Sequence, residues 1–498
     1  MTLDTLQPVY RTILAQARKF PDKAAIVSDG ETFSYADLAK AVAAAASTLR
    51  NGFDVAAGDR IVLLANSSFK FICTYLATHS IGAVCVPLDP HVSAARLADI
   101  AERVAPKLLV AEQAGPVPFS AKAHFDDLIA APNGAAVAFP DNVDVAQTAD
   151  VMFTTGTTGR PKGVVLNHRA FAVACSHINA FIGLQPDDIE VLPLPLSHSF
   201  GLGRVRCVLS LGATLVLISG FVSAARILET LSGMRATGLA SVPAGIGILL
   251  GDKGEALGRR GSQLRYIEIG SAAMPVEHKR QLMNVLPKTR VCMHYGLTEA
   301  SRSAFLSFHD NPEKLESIGR PSPGVEMRIV DDSGVELRDG LEGQIEIRGG
   351  HLMNGYWHDD ELSTGSLHNG WLRTGDLGRR DPEGYYYLKA RSSDIMNVGG
   401  RKVSPQEIED ILTGHPAVAE CACVGIPDPQ GLSGDMISAY LVADPASGEL
   451  PGFPELAKLL RKTLEPYKIP RRFTWVADLP KSTSGKVLRR KLRGPESV

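Results

Sequence analysis

Thr154-Thr155-Gly156-Thr157-Thr158-Gly159-Arg160-Pro161-Lys162-Gly163 follows the apolar, strand-like run Val151-Met152-Phe153. Four threonine hydroxyls, three glycines whose amides can approach a ligand closely, and one lysine equip this loop with donors and a positive charge suited to a triphosphate. A Walker A loop, G-x-x-x-x-G-K-[ST], counted from Gly156 would need glycine at Pro161 and Ser or Thr at Gly163. Lacking that hydroxyl, the loop must obtain its metal ligand elsewhere, which excludes the P-loop NTPase mechanism. The other reading, a Thr/Gly-rich surface turn, does not account for so many donors beside Pro161-Lys162-Gly163.

The 498 residues exceed one ordinary core, and 45% hydrophobic with 21% charged residues is a globular composition, so at least two domains are expected. A formal charge of -2 supplies no global field toward nucleic acid or an anionic membrane, leaving small molecules as the expected partners. Seven cysteines, at 73, 85, 175, 207, 292, 421 and 423, are scattered singly and odd in number, which argues against a disulfide framework. Cys421 and Cys423 are expected on opposite faces of a strand, and no spaced histidines accompany them, so they do not read as a metal site. Asp4, Arg11, Arg18 and Lys19 interrupt the first apolar residues, and no run of about eighteen apolar residues occurs; no integral membrane segment and a cytoplasmic location are expected.

The spacing predicts a helix over 34–50, capped by Ser34 with Leu38, Val42 and Leu49 on one face, ending at Asn51-Gly52. Continuous apolar strands at 60–65, 108–111, 213–218 and 264–269 alternate with amphipathic segments, the pattern of layered α/β subdomains with parallel sheets over roughly 1–320. Alternating segments at 327–330, 344–348 and 385–388 predict a β-rich subdomain. Arg391-Ser392-Ser393-Asp394 is a short polar connection, so the expected division is an N-terminal domain 1–390, a hinge 391–394 and a small α+β domain 395–498. Ser404-Pro405-Gln406-Glu407 predicts a capping box opening a helix that Gly414 ends; strands at 420–425 and 436–442 and a helix at 454–465 follow.

Tyr295-Gly296-Leu297-Thr298-Glu299 follows the strand-like 290–293, at the carboxyl end where α/β sheets bind ligands. Glu299 offers the hard oxygen magnesium prefers, Thr298 can hold an α-phosphate, and Tyr295 has a flat face for adenine. Gly270-Ser271-Ala272-Ala273-Met274-Pro275 also follows a buried strand, and its small residues let a ligand lie against backbone.

These segments resemble, in order and spacing across nearly the whole chain, the signatures of the adenylate-forming superfamily: acyl-CoA synthetases, aryl-CoA ligases, luciferases and peptide-synthetase adenylation domains. The decamer resembles its phosphate loop, Tyr295 to Glu299 its Y-G-x-T-E, Trp371-Leu372-Arg373-Thr374-Gly375-Asp376 its W-x-x-T-G-D, and Pro480 to Lys486 its terminal P-x-x-x-x-G-K. The resemblance implies ATP, Mg2+ and coenzyme A or a carrier-protein phosphopantetheine. Nucleotide contacts are then expected from Thr154, Thr155, Gly156, Thr157, Thr158, Gly159, Lys162, Gly270, Ser271, Ala272, His294, Tyr295, Gly296, Thr298, Asp376, Arg391 and Lys486. Asp376 would accept from both ribose hydroxyls, Glu299 would bind the metal, and Lys486 would bridge the substrate carboxylate and α-phosphate.

Pro195-Leu196-Ser197-His198 resembles the family's P-L-x-H, placing His198 at the mouth of an acyl pocket lined by Val242, Gly270 and Leu297; a core-packing histidine is the alternative. Arg204, Arg206 and Arg302 lie near these motifs and read chiefly as surface ion pairs, a second substrate carboxylate being the other option. Asn397 to Pro405 resembles the G-G-x-x-V-x-P of CoA ligases, with Gly399 and Gly400 passing the pantetheine arm and Arg401 and Lys402 either meeting CoA phosphates or forming a solvated turn. In the family a rotating C-terminal domain serves the second half-reaction, and its pivot, usually Asp or Lys, falls here at Ser393. The expected activity is an ATP-dependent acid–thiol ligase forming acyl-AMP and then a thioester, with CoA and a fatty or aromatic acid. Loading of a carrier protein, a luciferase-like oxygenase and a non-catalytic nucleotide binder are the alternatives.

Overall fold

The computed structural model describes residues 6–112, 119, 121–130, 143–155, 161–219, 223–251, 254–391, 394, 396–398, 401–427, 435–448, 450–464, 466–482 and 485–493. Its chain forms two compact units, Met1–Met327 with Ile347–Leu372, and Arg328–Glu346 with Arg373–Val498. By this division 391–394 falls inside the second unit, and Ser393 lies outside the described residues.

The first unit is α/β, with two large sheets. One runs, by strand, Arg320–Pro321, Ala304–Ser307, Arg290–Tyr295, Tyr266–Ile269, Gly238–Ser241, Ile189–Leu192, Thr214–Leu217, Ala24–Ser28, Glu31–Ser34. Its interior pairings are parallel and its edges antiparallel. The other runs Gly355–Tyr356, Pro161–Asn167, Thr148–Thr155, Val84–Leu88, Arg60–Leu64, Leu108–Ala111, Lys122–Ala123. Strands such as Ile61-Val62-Leu63 are buried on both faces, as their unbroken apolar runs require. The helix Tyr35–Ser47 opens on a complete capping box: Asp37 N–H donates to Ser34 Oγ (3.1 Å) and Ser34 N–H to Asp37 Oδ2 (2.9 Å). It passes into one wide π turn at Thr48–Gly52.

The second unit holds the hairpin Met396–Val398/Arg401–Val403 and the sheet Val418–Pro427, Asp435–Ala443, Arg472–Val476, with helices Pro405–Thr413 and Phe453–Leu460. Two expectations need correcting. Ser404 precedes the helix, but no capping box forms: its hydroxyl donates to Lys389 O (2.8 Å) and Glu407 accepts from Lys468 (2.6 Å). Tertiary partners outbid the local cap. Cys421 and Cys423, two residues apart on one strand, point the same way, and both enter the core with Met396 and Ile437.

Buried histidines set an acid limit on the first unit. Burial lowers His168 to about 2, His177 to about 3 and His351 to about 4, from an ordinary 6.5. All three are neutral in the fold, and His351 Nε2 meets Ser303 Oγ at 2.9 Å. A histidine whose pKa is depressed on folding stabilises fully above its unfolded pKa, and that contribution falls as pH drops toward the folded value. Stability is therefore expected to decline from pH 6.5 downward, by up to about 1.4 kcal/mol per pH unit for each histidine. Urea unfolding of wild type and His351→Gln at pH 7.5, 6, 5 and 4 checks this; the variant should lose one proton's worth of slope between 6.5 and 4.

Candidate active site

Four neighbouring parallel strands deliver the expected site loops from one sheet edge. Ile189–Leu192 leads to His198, Gly238–Ser241 to Val242, Tyr266–Ile269 to Gly270-Ser271-Ala272, and Arg290–Tyr295 to Gly296-Leu297-Thr298-Glu299. His294 and Tyr295 end their strand rather than standing on the loop, and a tight turn follows, with Leu297 N–H donating to Ala300 O (3.0 Å). His198 is half-buried at the start of helix Ser199–Ser210, where burial lowers its pKa and keeps the imidazole neutral. Gly270 is required by its neighbour: a Cβ there would lie 2.1 Å from the His294 ring. Ser271 takes a left-handed backbone, φ 77°.

The strands on either side of the threonine-rich segment, Thr148–Thr155 and Pro161–Asn167, pair antiparallel. Thr154 pairs with Lys162 and Thr155 with Pro161, while Gly156, Thr157, Thr158 and Gly159 lie outside the described residues. Gly163, where a Walker loop carries its hydroxyl, has no room for one: a Cβ would sit 3.0 Å from Val151, 3.1 Å from Phe153 and 3.1 Å from Trp357.

One segment the sequence reading passed over joins this hairpin to the Glu299 loop. Leu352 bridges Ala300, Met353 N–H donates to Glu299 O (2.8 Å), and Asn354 N–H to Val165 O (2.8 Å). Gly355 and Tyr356 then pair with Val165 and Val164, and Trp357 N–H donates to Gly163 O (2.7 Å). Tyr356 hydroxyl donates to Glu299 Oε1 (3.0 Å), and Lys162 Nζ lies 5.6 Å from the Tyr356 ring centre. Only pairing partners far along the chain reveal this; a two-residue strand has no periodicity to read.

Behind the sheet edge lies a charge cluster that corrects the surface reading of the three arginines. Arg204 is 0% and Arg302 2% exposed. Arg204 pairs with Glu190 (Nε to Oε1, 2.9 Å) and with Glu268 (Nη1 to Oε2, 2.9 Å); Arg302 Nε donates to Glu268 Oε1 (3.1 Å). His294 Nδ1 stands 2.7 Å from Glu268 Oε1, and Tyr266 hydroxyl donates to Glu190 (2.6 Å). Arg206, also buried, donates to Tyr75 hydroxyl (2.6 Å) beside Asp150. These arginines are committed to internal partners. Burial alone would raise Glu268, but Arg302 and Arg204 outweigh it and hold the carboxyl far below its usual range.

In the second unit Asp376 is 2% exposed on strand Trp371–Arg380, its N–H donating to Thr374 Oγ1 (3.0 Å) and its backbone paired with Arg391. Lys486 is exposed on a closed turn: Ser482 N–H donates to Lys486 O (2.8 Å) and Leu488 N–H to Pro480 O (2.7 Å). Arg489 anchors that turn, gripping Glu409 (2.6 and 2.8 Å) and facing Asp394 (3.6 Å). Val398 and Arg401 flank Gly399 and Gly400, which lie outside the described residues. Val398, Phe453, Tyr467, Arg461 and Arg471 line a cavity of about 730 Å³.

A divalent cation fits the Glu299 end of the first unit. The carboxylate is half-buried, with one oxygen held by Tyr356 and Thr298 adjacent. Among the described residues no group of three or more His, Cys, Asp or Glu could hold a metal ion. One protein carboxylate completed by phosphates and water is how Mg2+ is commonly held. No helix among the described residues is long and apolar enough to cross a membrane.

The AMP-binding enzyme family model matches residues 13–357, and the AMP-binding enzyme C-terminal domain model residues 407–486. Fatty acid–[acyl-carrier-protein] ligase ScoC of Streptomyces coeruleorubidus is 30% identical over 509 aligned positions, 98% of this chain and 96% of its own. 2-Succinylbenzoate–CoA ligase of Bacillus velezensis is 31% identical over 497 positions, 98% of either chain. The structure of o-succinylbenzoate CoA synthetase from Bacillus subtilis with its acyl-adenylate intermediate superposes with a TM-score of 0.88 at 27% identity, covering 98% of this chain and 99% of that one. With models of both its parts matched and relatives aligned along nearly its whole length, this chain belongs to the AMP-binding enzyme family and is an AMP-forming acid–thiol ligase.

Proposed function

We propose that the enzyme converts a fatty or aromatic carboxylic acid into its acyl-CoA through an acyl-AMP. The observation that carries this reading is the convergence on one sheet edge of Thr298-Glu299, Gly270-Ser271-Ala272, Val242 and His198, with Lys162 tied to the same edge through Tyr356. A substrate carboxylate oxygen attacks the α-phosphorus of ATP, the bond to the β-phosphate oxygen breaks, and pyrophosphate leaves. Thr154, Thr155, Gly156, Thr157, Thr158, Gly159 and Lys162 hold the departing phosphates; Thr298 holds the α-phosphate. Glu299 binds Mg2+, which neutralises phosphate charge when present. His294, Tyr295, Gly296 and Gly270 to Ala272 form the adenine side, and Asp376 with Arg391 takes the ribose. Lys486 is the cation for the developing charge.

In the second step a thiolate attacks the acyl carbonyl and AMP leaves. Gly399 and Gly400 pass the pantetheine arm, and the cavity at Val398 with Arg461 and Arg471 on its wall supports a thiol acceptor bearing phosphate. Residues 391–394 serve as the hinge. Val242 and Leu297, with His198 as gate, make an apolar acyl side, and the internal commitment of Arg204, Arg206 and Arg302 leaves those three unable to grip a second carboxylate. Seven cysteines with free thiols suit a cytoplasmic setting.

The second reading is transfer to a carrier-protein phosphopantetheine, favoured by the full-length similarity to ScoC. A panel of mono- and dicarboxylic acids in a pyrophosphate-release assay, followed by free CoA against holo carrier proteins, tests both. Monocarboxylic acids are expected to exceed dicarboxylic acids of equal length by roughly ten-fold, the worth of about 1.4 kcal/mol. Absence of any CoA product with the best acid would sink the first reading, and no turnover with any acid would leave a nucleotide binder.

A further inference from the structure

Tyr356 touches both the strand that carries Lys162 and the Glu299 loop. Its backbone pairs with Val164, two residues after Lys162, and its N–H donates to Ser363 Oγ (2.8 Å), which fixes the backbone that carries the ring. The hydroxyl reaches Glu299 Oε1 (3.0 Å), and the ring lies beneath Lys162 Nζ at 5.6 Å. Backbone bonds fix where the Glu299 loop runs, through Met353 N–H to Glu299 O, but they do not aim a glutamate with three side-chain torsions.

We infer that Tyr356 is a positioning residue for the metal site: its hydroxyl holds Glu299 Oε1 so that Oε2 is presented to the cation, and its ring keeps Lys162 and Glu299 from forming an ion pair with each other. Both parts follow from opposite charges brought near one another before the nucleotide arrives. A lysine on a strand and a glutamate on the loop beside it pair readily, and such a pair would spend the positive charge meant for phosphate and the oxygen meant for metal. An aromatic ring accepts the ammonium on its face while its edge hydroxyl takes the carboxylate, satisfying both without joining them. The inference rests on Glu299 being the metal ligand.

Two variants separate the parts. Tyr356→Phe keeps the ring and deletes the hydroxyl; Tyr356→Ala deletes the spacer. Mn2+ binding, followed by electron paramagnetic resonance with α,β-methylene-ATP present, is the primary readout, and metal-free binding of the same nucleotide by calorimetry is the second. Tyr356→Phe is expected to weaken Mn2+ roughly ten-fold or more, the usual cost of losing a partner that orients a ligand, with metal-free nucleotide binding unchanged. Tyr356→Ala should weaken both. In turnover, Tyr356→Phe should raise KM for Mg2+-ATP more than it lowers kcat, and thioester formation from presynthesised acyl-AMP should be unaffected, which also reports an intact fold. Glu299→Gln is the reference. If it weakens Mn2+ while Tyr356→Phe binds Mn2+ like wild type, the inference fails and the metal assignment stands; if Glu299→Gln itself binds Mn2+ normally, the metal assignment fails and takes the inference with it.

Discussion

Lys486→Ala is expected to lower ATP–pyrophosphate exchange by roughly 10²–10³-fold, the usual cost of removing one preorganised charge from a transition state. Thioester formation from presynthesised acyl-AMP should remain within about two-fold of wild type, because the charge that develops on the α-phosphorus belongs to the first step alone. The variant should fold. Lys486 is exposed, and the turn that carries it is closed by backbone bonds at Ser482 and Leu488, by the Lys481–Glu420 pair (2.6 Å) and by Arg489 on Glu409, none of which uses the Lys486 side chain. Lys486→Arg should recover only part of the exchange rate, since a planar guanidinium does not reproduce a point charge. Equal loss of exchange and transfer would show that the residue does not act in adenylation specifically.

The largest stability effect is expected at Glu268. Its carboxylate is 0% exposed and faces Arg302 Nε (3.1 Å), Arg204 Nη1 (2.9 Å) and His294 Nδ1 (2.7 Å). Glu268→Gln keeps the shape and removes the charge, leaving the buried Arg204 with Glu190 as its carboxylate partner and the buried Arg302 facing only neutral oxygens such as Phe200 O (3.2 Å). Breaking one partner from a buried ionic group costs about 3–5 kcal/mol. The urea midpoint of the first unit should fall accordingly, and nucleotide affinity with it, because His294 abuts Gly270 and Arg302 follows the Glu299 loop. A loss below about 1 kcal/mol would mean that water or relaxation satisfies the arginines and that the cluster is not the rigid floor of the site.

Much of the candidate site is legible in the amino-acid sequence. The decamer, Tyr295 to Glu299, Trp371 to Asp376 and the terminal Ser484-Gly485-Lys486 are continuous stretches whose residue types suggest their chemistry, and a strand preceding the first two places them at a sheet end. Local signals also worked where partners were local: Ser34 and Asp37 form their capping box three residues apart. They failed where a distant group competed, as when Lys389 and Lys468 claimed Ser404 and Glu407.

What the amino-acid sequence determined by itself, then, is the layered α/β class, the family motifs to which the proposed phosphate, metal and lysine roles attach, and the exclusion of a Walker mechanism. The tertiary structure decided the rest. Arg204, Arg206 and Arg302 look like surface charges along the chain, yet folding buries them against Glu190, Glu268 and Asp150, which three separate strands carry there. Tyr356 carries no motif chemistry of its own and acquires a role because a two-residue strand lays it across residues 164 and 299. Motifs are written in consecutive residues, whereas ion pairing and positioning depend on contacts between residues tens to hundreds of positions apart, and only the closed fold specifies those.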